Sequence, residues 1–286
     1  MLHSKKSIVN HTTVEDSLNV QSYLKYLEGK DHRTFIRLVI LPKVTGSHVL
    51  DIGCATGVLF EELLRLRTEN TYQLTGIEKI SKLARIAQQK ELPKTTIVEK
   101  NVTTYPYPKT QYDSIIMTSV AHEIISNYSV AIFSTLIQKL YLALKPHGRL
   151  ILFDGFKNDD LIAVLTIKNP YKQALFEQFM KIRSQYHFFR KGTSITTSVT
   201  AAFDFLHKCY YAENWQRELK EVYYPLSHES YATALYAAGF KHIQCKTFPE
   251  TENIEKIRQE FSLTDLAGNN LLSTHCNCLL VAQKIS

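Results

Sequence analysis

The sequence predicts an α/β protein built on a doubly wound, mostly parallel seven-stranded sheet with a helical lid insertion. Three observations carry that reading. Between His48 and Asp154, short β-rich runs alternate with runs of helical spacing. The run Tyr112–Thr118 (YDSIIMT) is almost wholly apolar at its centre, as a parallel strand covered on both faces requires. The first strand also passes directly into a turn of small residues and then into a helix.

Residues 12–41 have helical spacing through Tyr23, Leu24 and Leu27, then Phe35, Leu38 and Val39. His48–Asp51 (HVLD) is a short strand ending in a carboxylate. After Gly57, the positions Leu59, Phe60, Leu63, Leu64 and Leu66 share one helix face. Tyr72–Ile77 is the second strand, and Ser81 stands where it would cap a helix holding Leu83, Ala84, Ile86 and Ala87. Thr95–Val98 and Tyr112–Thr118 are the third and fourth strands. A helix over Val130–Leu144 is stopped by Lys145–Pro146 and Gly148, and Arg149–Phe153 is the fifth strand.

The rhythm then breaks. Residues 156–226 show no strand alternation and hold 14 of the 31 aromatics, with helices expected over Tyr171–Phe189 and Ala201–Tyr211. The sheet pattern resumes with a helix from His228 to Ala238, a stop at Gly239, a strand over Phe240–Phe248 and a last strand over Asn277–Lys284. The expected organisation is an N-terminal helical segment (1–47), an α/β core (48–155), a helical aromatic-rich lid (156–226) and a return to the core (227–286).

Composition narrows the function. At 286 residues and 44% hydrophobic, the chain is an ordinary globular sequence, and its apolar runs stop at five residues, too short for a membrane-spanning helix. Lys5 and Lys6 are followed by no apolar stretch, so no secretory signal is expected and a cytoplasmic location is. The net charge of +7 is spread as +3, +2, +3 and −1 over 1–47, 48–155, 156–226 and 227–286, with no basic block of the kind a phosphate backbone selects. Of the cysteines at 54, 209, 245, 276 and 278, only the last two are close together. A lone C-x-C pair falls short of the roughly four ligands of a structural zinc, so reduced thiols and no metal are expected.

The chemistry centres on Val49-Leu50-Asp51-Ile52-Gly53-Cys54-Ala55-Thr56-Gly57. Small residues there allow a tight turn and close approach of a ligand to the backbone. Twenty-one residues after Gly57, Glu78 closes the second strand, where a carboxylate can accept both hydroxyls of a ribose. A dinucleotide turn would need G-x-G-x-x-G; Ala55 and Val58 occupy two of those glycine positions, and the Val58 side chain obstructs a pyrophosphate.

The spacing D-x-G-x-x-x-G with an acidic start resembles the class I S-adenosylmethionine-dependent methyltransferases, whose Rossmann-like fold places the turn against an amino acid and a nucleoside. The resemblance implies S-adenosyl-L-methionine as cofactor, bound through Asp51, Gly53, Cys54, Ala55, Gly57 and Lys79, with Glu78 at the ribose. It also places Asn101 and Val102 at the adenine, with Asn101 where the family usually has Asp, and Ser119 after the fourth strand. Leu144-Lys145-Pro146-His147-Gly148-Arg149-Leu150 is similar to the family's LKPGGRL run. Ala55 stands where many members have Gly. The likeness covers about residues 48–154 and the last strands.

Methyl transfer needs alignment of the acceptor, exclusion of water and, for a hydroxyl or an ammonium, a base. His122 and Glu123, just past the fourth strand, are the candidate catalytic residues; the alternative is that His122 packs the start of the next helix and Glu123 favours its positive end. The family's adenine-amino and cytosine-C5 signatures are missing from Thr118-Ser119-Val120-Ala121. The passage Asn214–Phe240 resembles the lid-to-helix region of small-molecule methyltransferases, with Tyr210, Tyr211, Trp215, Tyr223 and Tyr224 as candidate acceptor contacts. The expected function is methyl transfer to oxygen or nitrogen of a small-molecule acceptor. Two other readings stay open: an RNA- or protein-directed enzyme, suggested by Lys5, Lys6 and Arg33, and a non-catalytic cofactor-binding subunit, suggested by Asn101.

Overall fold

Helices α1 (Val20–Leu27) and α2 (Lys30–Phe35) lead through a π-helical turn, Ile36–Ile40, into the core. The core alternates β1 (His48–Ile52), α3 (Val58–Leu66), β2 (Gln73–Glu78), α4 (Ser81–Gln89), β3 (Thr95–Glu99) and β4 (Tyr112–Thr118), then α5 (Ala121–Asn127), α6 (Val130–Ala143) and β5 (Leu144–Gly155). After β5 come β6 (Ile162–Ile167), α7 (Pro170–Ile182), β7 (Phe189–Lys191), β8 (Ser194–Ser198), α8 (Val199–Lys208) and the short α9 (Trp215–Glu218). The chain ends with α10 (His228–Ala237), β9 (Lys241–Pro249), α11 (Ile254–Glu260), β10 (Phe261–Thr264) and β11 (His275–Gln283). This computed structural model describes residues 20–66, 71–158, 160–249 and 253–286; the part of the expected N-terminal helix before residue 20 lies outside them, as do Lys5 and Lys6.

Seven strands form one sheet in the order β3-β2-β1-β4-β5-β11-β9. Strands β1 to β5 are parallel, and β11 runs antiparallel between β5 and β9. This is the doubly wound sheet that the alternation predicts. Its strand order reverses between β1 and β4, whose carboxyl ends therefore diverge and leave a crevice for a ligand.

The apolar strands follow from burial on both faces. Leu50, Ile52, Ile115 and Met117 point into a core shared with Phe133, Leu136 and Leu140 of α6 and with Tyr231 of α10. Their neighbours Val49 and Ile116 point the other way, against Phe60 and Leu63 of α3. Ser81 is not the cap of α4: Ile80 holds that position, its N–H donating to the Glu78 carboxylate, and the Ser81 hydroxyl donates to Glu99.

The insertion carries the expected helices but is not purely helical. A four-stranded antiparallel sheet, β10-β6-β8-β7, forms its centre. In β6 the alternate residues Ala163, Leu165 and Ile167 are buried against Phe176, Phe179 and Phe205, a period of two that the density of neighbouring aromatics obscures in the sequence. Its partner β10 comes from the far C-terminal segment, with Phe261 opposite Ile167 and Leu263 opposite Leu165. This second sheet is thus built from two stretches of chain, since β10, which lies within the expected 227–286 segment, pairs with β6 and not with the seven-stranded sheet. Among the described residues, no helix is long and apolar enough to cross a membrane.

Candidate active site

The turn after β1 is held across the sheet by two bonds to the carbonyl of Ile77, from Gly53 N–H at 2.8 Å and Cys54 N–H at 3.1 Å. Gly53 has φ +73°, and a Cβ built there would lie 2.5 Å from Cγ2 of Val120, so both the turn and the close packing of β1 against the β4 loop require glycine. Glu78 is buried at the end of β2. One of its oxygens accepts from Ala55 N–H at 3.0 Å and the other from Ile80 N–H at 2.8 Å. Burial raises its carboxyl to about 6, against those two donors and with Glu123's charge adding to the rise. Gly57 shapes the start of α3 and lines neither cavity described next.

Two cavities meet over this turn. The larger, about 970 Å³, has Asp51, Gly53, Cys54 and Ala55 at its floor and extends under the lid. The smaller, about 60 Å³, lies beside Glu78, Lys79, Asn101 and Val102. Gly53, Ser119, Glu123 and Arg217 border both. Lys79 reaches Glu123 at 3.5 Å and Arg217 of the lid reaches it at 3.3 Å, so an ion-pair chain crosses between the cavities. Asn101 does border the small cavity, but its oxygen already accepts from both the N–H and the hydroxyl of Thr103, at 2.9 Å each, and its amide donates to Tyr128.

Asp51 is buried beside Glu78, and its Oδ1 has no hydrogen-bond partner. Burial, and then Glu78's charge, push its carboxyl up to about 8. A cation arriving beside it would favour its charged form. The buried, cation-seeking Asp51, the backbone exposed at Gly53 and the ribose-type carboxylate of Glu78 fit the ammonium, thioether and nucleoside parts of S-adenosylmethionine.

His122 begins α5 directly over the end of β4. Its N–H donates to Asp154 Oδ2 at 3.1 Å and its Nδ1 lies 2.8 Å from Asp154 Oδ1, which leaves Nε2 for the cavity. Burial alone would lower its imidazole, but Asp154, with Glu123 and Glu221 behind it, raises it to about 9. His122 and Glu123 are therefore brought together, within a group that also includes Glu221. Ligand atoms of these three lie within 4.8 Å of one another, but Arg217 and Lys79 already hold the two carboxylates.

The lid supplies the opposite wall. Tyr210, Tyr211, Tyr223 and Tyr224 line the large cavity, and the Tyr223 ring lies 5.0 Å from that of His122. Gly155 admits this segment, since a Cβ there would meet the Tyr223 carbonyl at 2.5 Å. Trp215 does not face the cavity: it is buried in the lid core, its Nε1 donating to Gln178 at 3.0 Å and its ring edge-on to Phe205. Sequence reasoning misses Asp154, Arg217, Glu218 and Glu221. Asp154 has a usable signal as the carboxylate closing a core strand, whereas the E-x-x-E spacing of Glu218 and Glu221 is common on solvated helices.

Comparison with known proteins agrees with this geometry. Residues 49–148 match the family model for a methyltransferase domain. The uncharacterized methyltransferase YrrT of Bacillus subtilis is 26% identical over 198 residues, 69% of this chain and 81% of its own length. Among solved structures, an S-adenosylmethionine-dependent methyltransferase from Thermotoga maritima superposes with a TM-score of 0.54 at 11% identity, over 94% of this chain and 98% of that one. Phosphoethanolamine N-methyltransferase 2 of Haemonchus contortus gives 0.56 at 15% identity, over 96% of this chain but only 61% of that longer one. The methyltransferase-domain match over residues 49–148, the curated relative and the shared fold together support a class I S-adenosylmethionine-dependent methyltransferase, with S-adenosylmethionine as cofactor.

Proposed function

We propose that this chain transfers a methyl group to an oxygen or nitrogen of a small-molecule acceptor bound between the core and the lid. The observation that carries the reading is the continuous cavity of about 970 Å³, which runs from the cofactor turn at Asp51–Ala55 to the tyrosines of the lid. That volume is of the size of a small-molecule site.

The bound cofactor supplies an electrophilic methyl on sulfur. The protein's part is to hold and exclude. Asp51 balances the cofactor's positive charge and Glu78 takes the ribose hydroxyls. The apolar Val102 walls the adenine end, and Lys79 and Ser119 border the same pocket. Tyr210, Tyr211, Tyr223 and Tyr224 shield the acceptor from water. His122, oriented by Asp154, holds or moves a proton at Nε2. Glu123 acts as a positioning residue through Lys79 and Arg217. In this reading the lid comprises 156–226 together with 254–272, and the five free thiols suit a reducing, cytoplasmic setting.

Two measurements test this. S-adenosylhomocysteine should raise the melting temperature of the purified chain, because it binds the native state alone. Labelled methyl groups should appear on small molecules and not on RNA or protein. Methylation of RNA that is lost with added salt would instead favour the polymer-directed reading.

A further inference from the structure

Six carboxylates line the large cavity, and the pairing of the buried ones is uneven. Asp154 is matched by His122, Glu123 by Lys79 and Arg217, and Glu221 by Arg217 at 3.1 Å. Among the described residues, two buried carboxylates at this cavity have no Lys, Arg or His nitrogen within 4 Å: Asp51 on the floor and Glu218 in the lid. Asp51 answers to the cofactor. Glu218 has no such explanation.

We propose that the methyl acceptor is a cationic amine whose ammonium binds Glu218 against the Tyr223 side of the lid. This rests on the methyltransferase reading above and narrows its acceptor from oxygen or nitrogen to nitrogen.

Glu218 is 5% exposed and accepts a hydrogen bond from the Tyr223 hydroxyl. One neutral donor does not offset the desolvation of a buried carboxylate; a cation does. Burial and then the charge of Glu221 raise Glu218 to about 7, against the Tyr223 hydroxyl and the charges of Lys208 and Arg217, neither of which pairs with it directly. The nearby cations are committed elsewhere. Lys208 is paired with the buried Asp204 and lies over the Tyr223 ring at 3.6 Å, while Arg183 bonds the Glu221 carbonyl and sits 3.4 Å from Asp204. Tyr210, Tyr211 and Tyr224 line the same cavity, and aromatic rings suit an alkylammonium better than a neutral alcohol.

The chemistry balances. The bound ammonium gives one proton to the Glu218 carboxylate, and the freed nitrogen lone pair takes the methyl carbon. The carbon–sulfur electron pair stays on sulfur, so the positive charge passes from sulfur to nitrogen, and Glu218 later returns its proton to solvent. A methylated amine remains a cation and remains suited to the same site.

The test pairs amines with their hydroxyl counterparts. Benzylamine, N-methylbenzylamine and phenethylamine are compared with benzyl alcohol and phenethyl alcohol, using methyl-labelled cofactor and the full chain. Benzyltrimethylammonium serves as a non-reactive probe of thermal stability in the presence of S-adenosylhomocysteine. Labelled amines without labelled alcohols, or a shift with the quaternary cation that is lost in Glu218→Gln, is the expected result. In Glu218→Gln, amine kcat/KM should fall about tenfold or more while the S-adenosylhomocysteine shift is kept. Alcohols labelled in preference to amines would overturn the proposal. So would a Glu218→Gln variant equal to wild type, or a cofactor-binding protein that neither labels nor binds any cation of the set. Loss of the S-adenosylhomocysteine shift in wild type would sink the methyltransferase reading itself, a separate outcome.

Discussion

Asp154 holds His122 twice, through its backbone N–H at 3.1 Å and through Nδ1 at 2.8 Å, so the end of β5 sets both the start of α5 and the orientation of the imidazole. The pair should make stability depend on pH. The imidazole is raised from 6.5 to about 9, so the charged form is favoured in the folded state. Its stabilisation is fully present below pH 6.5 and is lost as pH rises through 9. Denaturant titrations should show unfolding free energy falling by about 1–3 kcal/mol across that window. Asp154→Asn should flatten the slope, and a slope unchanged in that variant would dissociate His122 from it.

Cofactor affinity should depend on Glu78. Its two oxygens are already fixed by Ala55 and Ile80, so the carboxylate is presented without further rearrangement. Glu78→Ala should weaken S-adenosylhomocysteine by about 1–3 kcal/mol through lost charge-assisted hydrogen bonds. Titration calorimetry giving equal affinity in the variant would remove Glu78 from the binding site.

Binding should also release a proton. Asp51 sits near 8 in the free protein and is therefore mostly protonated at pH 7. An ammonium arriving beside it favours the charged form and expels the proton. Affinity for S-adenosylhomocysteine should accordingly fall as pH drops below 8. Binding heats at pH 7 should differ between buffers of different ionisation enthalpy, and Asp51→Asn should remove the difference. Identical heats in wild type would show that no proton moves.

Much of the core is legible in the amino-acid order itself. β1, β4 and the turn between Asp51 and Gly57 can be read locally, because burial on both faces writes continuous apolar runs and a tight turn writes small residues. What escapes depends on contacts between distant segments. The pairing of β10 with β6 follows no local pattern, and Trp215 has the same composition whether it faces a ligand or Phe205. The place of Asn101 after β3 follows from chain order, but Thr103's claim on its oxygen is a matter of side-chain geometry. That Glu218 has a hydroxyl partner but no cation paired with it emerges only once the neighbouring cations have been accounted for.

The double origin of the lid sheet limits how this molecule can change. Since β10 enters from beyond β9 to complete a layer begun by β6, exchanging that layer with a relative would take two matched excisions instead of one. Altered selectivity is therefore reached more readily by point replacements along the tyrosine wall than by transplanting whole modules.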